Sequence, residues 1–167
     1  MTRIAGSACR MAHMTNHQAT EIDWLRHVLT EKIPLGGAMG LCVERLDSQG
    51  VSFSLPLGPN VNDKGTAFGG AMASAMILAG WSLPRLLLKR ADQEADLVIG
   101  RCEIRYLKPV KGGFDVECDW PEKPACDLFI TDLVAKDRSR LPLEARVIVD
   151  GEVAATLSAR YAALRRI

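Results

Sequence analysis

Apolar and polar positions along this chain change their period several times, and the most telling change runs from Asn60 to Lys89. A polar loop, Asn60 to Thr66, feeds the pair Gly69 and Gly70, and no charged residue then occurs until Arg85. Ala71, Met72, Ala75, Met76, Ile77, Leu78, Ala79 and Trp81 leave no polar face wide enough for a surface helix. A helix apolar all round lies inside protein or inside a membrane. Small residues dominate this run, Ser74 and Ser82 interrupt it, and Pro84 with Arg85 is expected to close it. Its flanks alternate like strands, which need a shared core that a lone spanning helix cannot give. The expectation is a core helix rather than a membrane span. Gly70, Ala71, Ser74, Ala75 and Ala79 would let strands approach its backbone.

Upstream, Ile22, Leu25, Val28 and Leu29 form a helical stripe that Trp24 is placed to join. Thr20, with Asp23 three residues on, marks its start, and Pro34 with Gly36 and Gly37 its end. Residues 39–46 and 51–55 read as strands around the turn 47–50. Residues 97–107 form a long strand with Val98, Cys102, Ile104 and Tyr106 on one face and Arg101, Glu103 and Arg105 on the other. Phe114, Val116, Cys118 and Trp120 alternate with Asp115, Glu117 and Asp119. Residues 127–136 carry a helical stripe of Leu128, Thr131, Leu133 and Val134. Residues 143–149 and 153–164 are strands joined by Asp150-Gly151, a strong two-residue hairpin signal. The order α-β-β-α-β-β-α-β-β predicts an α+β fold in which an antiparallel sheet surrounds one buried helix. Phe68 and Trp81 are expected to be buried towards opposite ends of that helix. Residues 1–17 have no period and no clear targeting signal. They are read as a loosely held tail before a domain spanning 18–167.

With 167 residues, 21 Lys plus Arg and 20 Asp plus Glu, the chain is long enough for a real core and nearly neutral. That balance, with few aromatics, gives no support for a nucleic-acid binder. Five cysteines are widely spread without a CxxC, as expected of reduced thiols in a cytoplasmic protein. The three histidines, His13, His17 and His27, all precede the body of the domain. No Ser-His-Asp triad, Cys-His pair or multi-histidine zinc site can therefore be built there, and no metal is expected. Chemistry must run on carboxylates, amides, hydroxyls and backbone dipoles.

Two segments carry a resemblance. Residues 105–112, Arg-Tyr-Leu-Lys-Pro-Val-Lys-Gly, resemble the strand ending YLxPxxxG of hotdog thioesterases. Residues 60–70, Asn-Val-Asn-Asp-Lys-Gly-Thr-Ala-Phe-Gly-Gly, continuing to Leu78-Ala79-Gly80-Trp81, resemble the thioesterase family found as the C-terminal domain of YiiD-type acetyltransferases. The resemblance spans about residues 18–166 and implies a hotdog fold, an antiparallel sheet wrapped around a long central helix. It also implies hydrolysis of an acyl-CoA or acyl-carrier thioester, with coenzyme A entering only as part of the substrate. By motif position, the asparagine and helix glycine that bind the thioester fall on Asn62 and Gly69. Two positions depart from the pattern. Phe68 stands where a histidine is usual, and the acidic residue two turns into the helix falls near Ile77.

Asp63 is the only acid between Asp47 and Asp92, and so the candidate base or nucleophile. Its alternative is turn-shaping with Asn62. Gly69 is the candidate oxyanion donor, because a helix N-terminus presents free N–H groups and a positive dipole end. Asn60, Thr66, Phe68, Gly70 and Ser74 are candidate substrate contacts. The alternatives are loop capping for Asn60 and Asn62, an N-cap for Thr66 and back-bonding for Ser74. Lys108 and Lys111, with Lys64, Arg85 and Lys89, are candidates for the phosphates of coenzyme A or are solvated charges. The sequence reading is a thioesterase acting as a homodimer or dimer of dimers, because the strand 97–107 is hazardous as a free edge. No membrane partner is expected. The rival is a non-catalytic acyl-binding or regulatory hotdog module. A hotdog dehydratase is weaker, since those enzymes rely on a histidine.

Overall fold

The structure, a computed structural model, describes residues 16–165. Residues 1–15, most of the segment read as a tail, lie outside the described residues. The elements are α1 (Asn16–His27), a π-helical turn (Val28–Lys32), α2 (Pro34–Ala38), β1 (Cys42–Leu46), β2 (Gly50–Leu55), α3 (Gly69–Arg90), β3 (Asp96–Tyr106), β4 (Phe114–Asp119), α4 (Lys123–Lys136), β5 (Arg138–Val149) and β6 (Glu152–Leu164). The six strands form one antiparallel sheet in the order β1-β2-β4-β5-β6-β3. The β5–β6 turn has Asp150 at φ 51° and Gly151 at φ 78°, the positive-φ pair that a two-residue hairpin needs.

The sheet curls around α3, which packs against β2, β3, β4, β5 and β6. Ala75, Met76, Ala79, Leu83 and Leu86 of α3 are fully buried, facing Val51, Phe53, Val116, Val147 and Tyr161 of the sheet. This is the hotdog arrangement. Among the described residues α3 is the one helix long and apolar enough to cross a membrane, and it is the core of this sheet. Gly80 makes the closest approach possible. Tyr161 lies on it, the Tyr161 hydroxyl donating to the Ile77 carbonyl at 2.8 Å.

Several sequence expectations shift. The central helix does not close at Pro84 but continues to Arg90. An interior proline costs roughly 3 kcal/mol. Beyond it Leu86 and Leu88 are both fully buried, which offsets that cost. Helix α1 is already formed at Asn16, and Thr20 donates to the His17 carbonyl inside it rather than starting it. The helical run does end before Pro34, at Lys32, and Pro34 opens the short α2. Helix α4 starts at Lys123 and buries Phe129 and Leu133, while Leu128 and Val134 are exposed. Of the expected stripe Leu133 faces inward, while Thr131 is exposed as well and Phe129 takes the inward place expected of Leu128. On β3, a bulge between Ile99 and Arg101 moves Val98 to the outer face, opposite Ala162. Phe68 is not buried: it is 57% exposed. Trp81 is only half-buried, its Nε1 donating to the Leu97 carbonyl at 3.4 Å.

Candidate active site

The polar segment before α3 folds into a small hairpin. Val61 and Ala67 form an antiparallel bridge. Above it the Asn62 N–H donates to the Thr66 carbonyl at 2.8 Å, and below it the Phe68 N–H donates to the Asn60 carbonyl at 2.7 Å. Asn62 knits the tip. Its Nδ2 donates to Thr66 Oγ1 at 2.9 Å, and its Oδ1 accepts from the N–H groups of Lys64 at 2.9 Å and Thr66 at 3.1 Å. Gly65 supplies the positive φ of the tip, 76°. Asp63, Lys64 and Gly65 are left exposed there. Asn60 pins the base: it is buried, and its Nδ2 donates to the carbonyls of Met39 and Pro56, each at 2.8 Å. Its Oδ1 has no partner among the described residues.

The N-terminus of α3 emerges from the base of this hairpin. Phe68 takes the N-cap position with extended backbone and no side-chain cap, so Thr66 is not the cap. The Phe68 carbonyl accepts from Ala71 at 3.0 Å and Met72 at 3.1 Å. The N–H groups of Gly69 and Gly70 donate to no acceptor among the described residues. Tyr106, the last residue of β3, lays its ring on Gly69 and donates its hydroxyl to the Gly69 carbonyl at 2.8 Å. A Cβ on Gly69 would stand 3.3 Å from that ring, and one on Gly70 only 2.4 Å from the ring of Phe68. The glycine pair is therefore what admits two aromatic rings beside the free N–H groups. Phe68, Tyr106, Val61 and Leu107 are all exposed around them. The Ala67 N–H donates to the Val110 carbonyl at 2.8 Å, so the two segments that carry the family resemblance meet here at two separate bonds.

Chemically, this is a positive dipole end with two unused donors, ringed by apolar surface. It can polarise a carbonyl and bind an acyl chain. Gly69, Gly70 and Phe68 are brought together. Asn62 and Thr66 are joined to each other. Asp63 sits apart at the hairpin tip, three residue pairs above the base, roughly 10 Å along the ladder. Helix α3 carries no carboxylate, and Ile77 is half-buried. Ser74 is half-buried on the same helix. Lys108 pairs with Glu152, and Lys111 and Lys64 are exposed. Arg85 and Lys89 lie over the ring of Trp24 at 5.4 and 5.2 Å instead of near the hairpin. Tyr106 is the residue that sequence reasoning missed. Its place at the end of a long strand, just before a proline turn, was visible, but not that it would reach the glycine pair.

The opposite end of α3 has a different character. A cleft of about 630 Å³ is lined there by Glu21, Leu87, Arg90, Trp120 and Cys126 among others. Arg90 grips Glu21 with two bonds of 2.9 and 2.7 Å and lies 5.0 Å over the Trp120 ring. Those bonds hold the buried Glu21 carboxyl below the usual carboxylate range, against the opposing effect of burial. Burial pushes the Cys118 thiol up to about 12 and raises Cys126 as well, so neither is a ready nucleophile. Among the described residues no group of His, Cys, Asp and Glu is placed to hold a metal ion.

The sequence model of the family described as "Putative thioesterase (yiiD_Cterm)" matches residues 22–165. Among solved structures, a protein of unknown function from Chlorobaculum tepidum TLS superposes with a TM-score of 0.85 at 25% identity, over 89% of this chain and 97% of its own. A "putative thioesterase" from Shewanella oneidensis does so with a TM-score of 0.79 at 26% identity, over 87% and 99%. A Pseudomonas aeruginosa protein described as a "probable thioesterase" shares the fold with a TM-score of 0.74 at 24% identity, over 86% and 95%.

Proposed function

The chain belongs to the yiiD_Cterm thioesterase family, and on that premise we propose that it hydrolyses an acyl thioester, of coenzyme A or of an acyl carrier, at the N-terminus of α3. The observation that carries this reading is the pair of unpartnered N–H groups on Gly69 and Gly70, set between Phe68 and Tyr106. A thioester carbonyl directed at them would gain most when its oxygen becomes an oxyanion, the condition for lowering a barrier rather than only binding. Water adds to the carbonyl carbon, the tetrahedral oxyanion collapses, and the products are a carboxylic acid and a free thiol. Asp63 is the base in this reading, taking the proton of the attacking water from the exposed hairpin tip. Phe68 and Ser74 border the acyl chain. Asn60, Asn62 and Thr66 hold the hairpin that presents the site. Lys108 and Lys111, on the segment after β3, face the phosphates of the carrier arm.

The working unit in this reading is a homodimer or a dimer of dimers, joined through the open edge of β3 and working in the cytoplasm. Sedimentation at micromolar concentration tests the assembly. The activity is tested by a hydrolysis screen across acyl-CoA chain lengths and an acyl-carrier thioester, with free thiol as the readout. Release of thiol with saturation kinetics is expected. One observation favours the rival reading of a non-catalytic acyl-binding module: the Asn62 amide is already engaged by the hairpin and α3 offers no carboxylate. Binding of acyl-CoA without turnover on any substrate would decide for that module.

A further inference from the structure

The cleft at the C-terminal end of α3 has no part in the proposed hydrolysis, and roughly 30 Å of helix separates it from the glycine pair. Its volume, about 630 Å³, is that of a small-molecule site. Arg90 forms part of its wall and is held on two sides. Glu21 takes the edge made by Nε and Nη2, and Cζ lies 5.0 Å from the centroid of the Trp120 ring. A guanidinium is a planar fork with five N–H donors. The edge ending in Nη1 therefore keeps three that donate to no acceptor among the described residues. The Glu21 side chain is 8% exposed and that of Arg90 42%, so the cation is anchored from beneath with its outer edge open. An arginine fixed in this way is preorganised for an oxyanion, and its end-on edge matches the two oxygens of a carboxylate.

The rest of the cleft narrows the class of ligand. Each carboxylate that lines it is already paired. Glu21 is bound to Arg90, and Asp127 to Lys123 at 2.6 Å. Asp47 accepts from Arg45 at 2.7 Å and from the N–H groups of Gln49 and Gly50. The negative dipole end of α3 is offset by the positive end of α4, whose first turns supply Lys123, Cys126 and Asp127 to the wall. A phosphate dianion would face the same three carboxylates, with only the exposed imidazole of His17 beside Arg90 to offset it among the described residues. Leu46, Leu87, Trp120 and Pro121 add apolar wall that a bare inorganic anion does not use. A single carboxylate joined to an apolar chain uses both parts.

We propose that the cleft is a second ligand site of this chain, taking a small organic carboxylate whose oxygens accept from the free edge of Arg90 while its apolar chain lies along Leu46, Leu87 and Trp120. The site stands independently of the hydrolysis proposed at the other end of α3.

The test is a titration of the full chain with octanoate, following the indole N–H signals of Trp24, Trp81 and Trp120 by NMR. A saturable shift of the Trp120 signal is expected. Glu21→Gln combined with Arg90→Gln should weaken octanoate binding tenfold or more. The two amides can bond each other, so no buried charge is left unpaired. Cys126→Phe, which fills the cleft and keeps the ion pair, should weaken it as much, and decides alone if the paired variant does not melt cooperatively. No saturable Trp120 shift at millimolar octanoate would overturn the proposal. So would octanoate affinity unchanged in Cys126→Phe, since the ligand would then sit elsewhere. Inorganic phosphate displacing octanoate at equal concentration would overturn the carboxylate class.

Discussion

Replacing Tyr106 with phenylalanine isolates a single hydrogen bond at the place where hydrolysis is proposed. The Tyr106 hydroxyl holds the Gly69 carbonyl at 2.8 Å, and the same peptide unit ends in the Gly70 N–H. Because a peptide is planar and trans, fixing its C=O fixes the opposite direction of its N–H. Phenylalanine keeps the ring that covers Gly69 and removes only that restraint. A neutral hydrogen bond contributes about 0.5–1.5 kcal/mol net. Tyr106 is 52% exposed, which favours the lower half of that range. At 1.36 kcal/mol per decade of rate, that lower half corresponds to a loss of about 2- to 5-fold. Since the restraint acts on an oxyanion donor, the loss should fall on kcat, with KM within about twofold. The assay is steady-state thiol release from the best acyl thioester, with thermal melting in parallel. If kcat is unchanged while the melting temperature falls, the bond is structural and the placement of the oxyanion at Gly70 is wrong. If KM rises and kcat does not, the donor binds the ground state equally and contributes nothing to the chemistry.

Three further outcomes are expected of the same fold. Gly80→Ala ought to destabilise the fold by about 2 kcal/mol in a urea melt, although alanine is the better helix former by about 1 kcal/mol. The reason is a new Cβ only 2.4 Å from the buried Tyr161 hydroxyl, and a more stable variant would mean that Tyr161 does not lie there. Glu21→Gln should lower the melting temperature more at neutral pH than at pH 3. A carboxyl held below its usual range by Arg90 contributes stability above its unfolded pKa, near 4.5, and loses it as pH falls through the folded value; an equal deficit at both pH values would contradict this. Asp63→Asn should leave the melt and acyl-CoA affinity unchanged and reduce turnover by about 10²–10⁴-fold if Asp63 is the base. Turnover within about threefold of the parent would instead assign the water to the amides of the hairpin.

Much of the fold was legible because its signals were local and redundant. The absence of a polar face on α3, the alternation of Phe114, Val116 and Cys118, and the Asp150-Gly151 turn each state an element directly. Where the reading slipped, a tertiary contact outweighed a local rule. Pro84 looked like a helix stop until the burial of Leu86 and Leu88 is considered, and that burial depends on the whole sheet. Val98 was placed inside by counting twos, which a bulge at Gly100 invalidates. Phe68 was expected to be buried towards one end of α3, yet the hairpin base directs it outward over Gly70. The candidate site was half legible. Motif position pointed to Asn62 and Gly69; the Gly69 N–H is unpartnered at the start of α3, while the Asn62 amide is engaged in the hairpin tip. Tyr106 had no such signal, since 37 residues separate it from Gly69 and no periodicity carries information across that distance.

The composition of the site also explains where a base has to come from. Every side chain on the first three turns of α3 is small or apolar, and Met72, Ala75, Met76, Leu78 and Ala79 among them are buried. A carboxylate at the half-buried Ile77 would cost part of its hydration unless paired. With Phe68 beside the glycine pair, the immediate surroundings of the two free N–H groups are apolar as well. Such surroundings strengthen a dipole acting on an oxyanion and leave no local group to take a proton. The polar function must then be delivered from outside the helix, and the hairpin before it carries Asn60, Asn62 and a single acid, Asp63. Asn62 is spent on fixing the tip, which leaves Asp63 exposed at the end of a rigid arm. If Asp63 is the base, an arm whose length sets its carboxylate about 10 Å from the base of its own hairpin has to act through intervening water or, in a dimer, across the subunit boundary. The two routes separate in a mixed dimer. Asp63→Asn subunits combined with subunits inactivated at Gly70 should regain up to a quarter of the parental activity if the carboxylate crosses the boundary, and none if it serves its own chain.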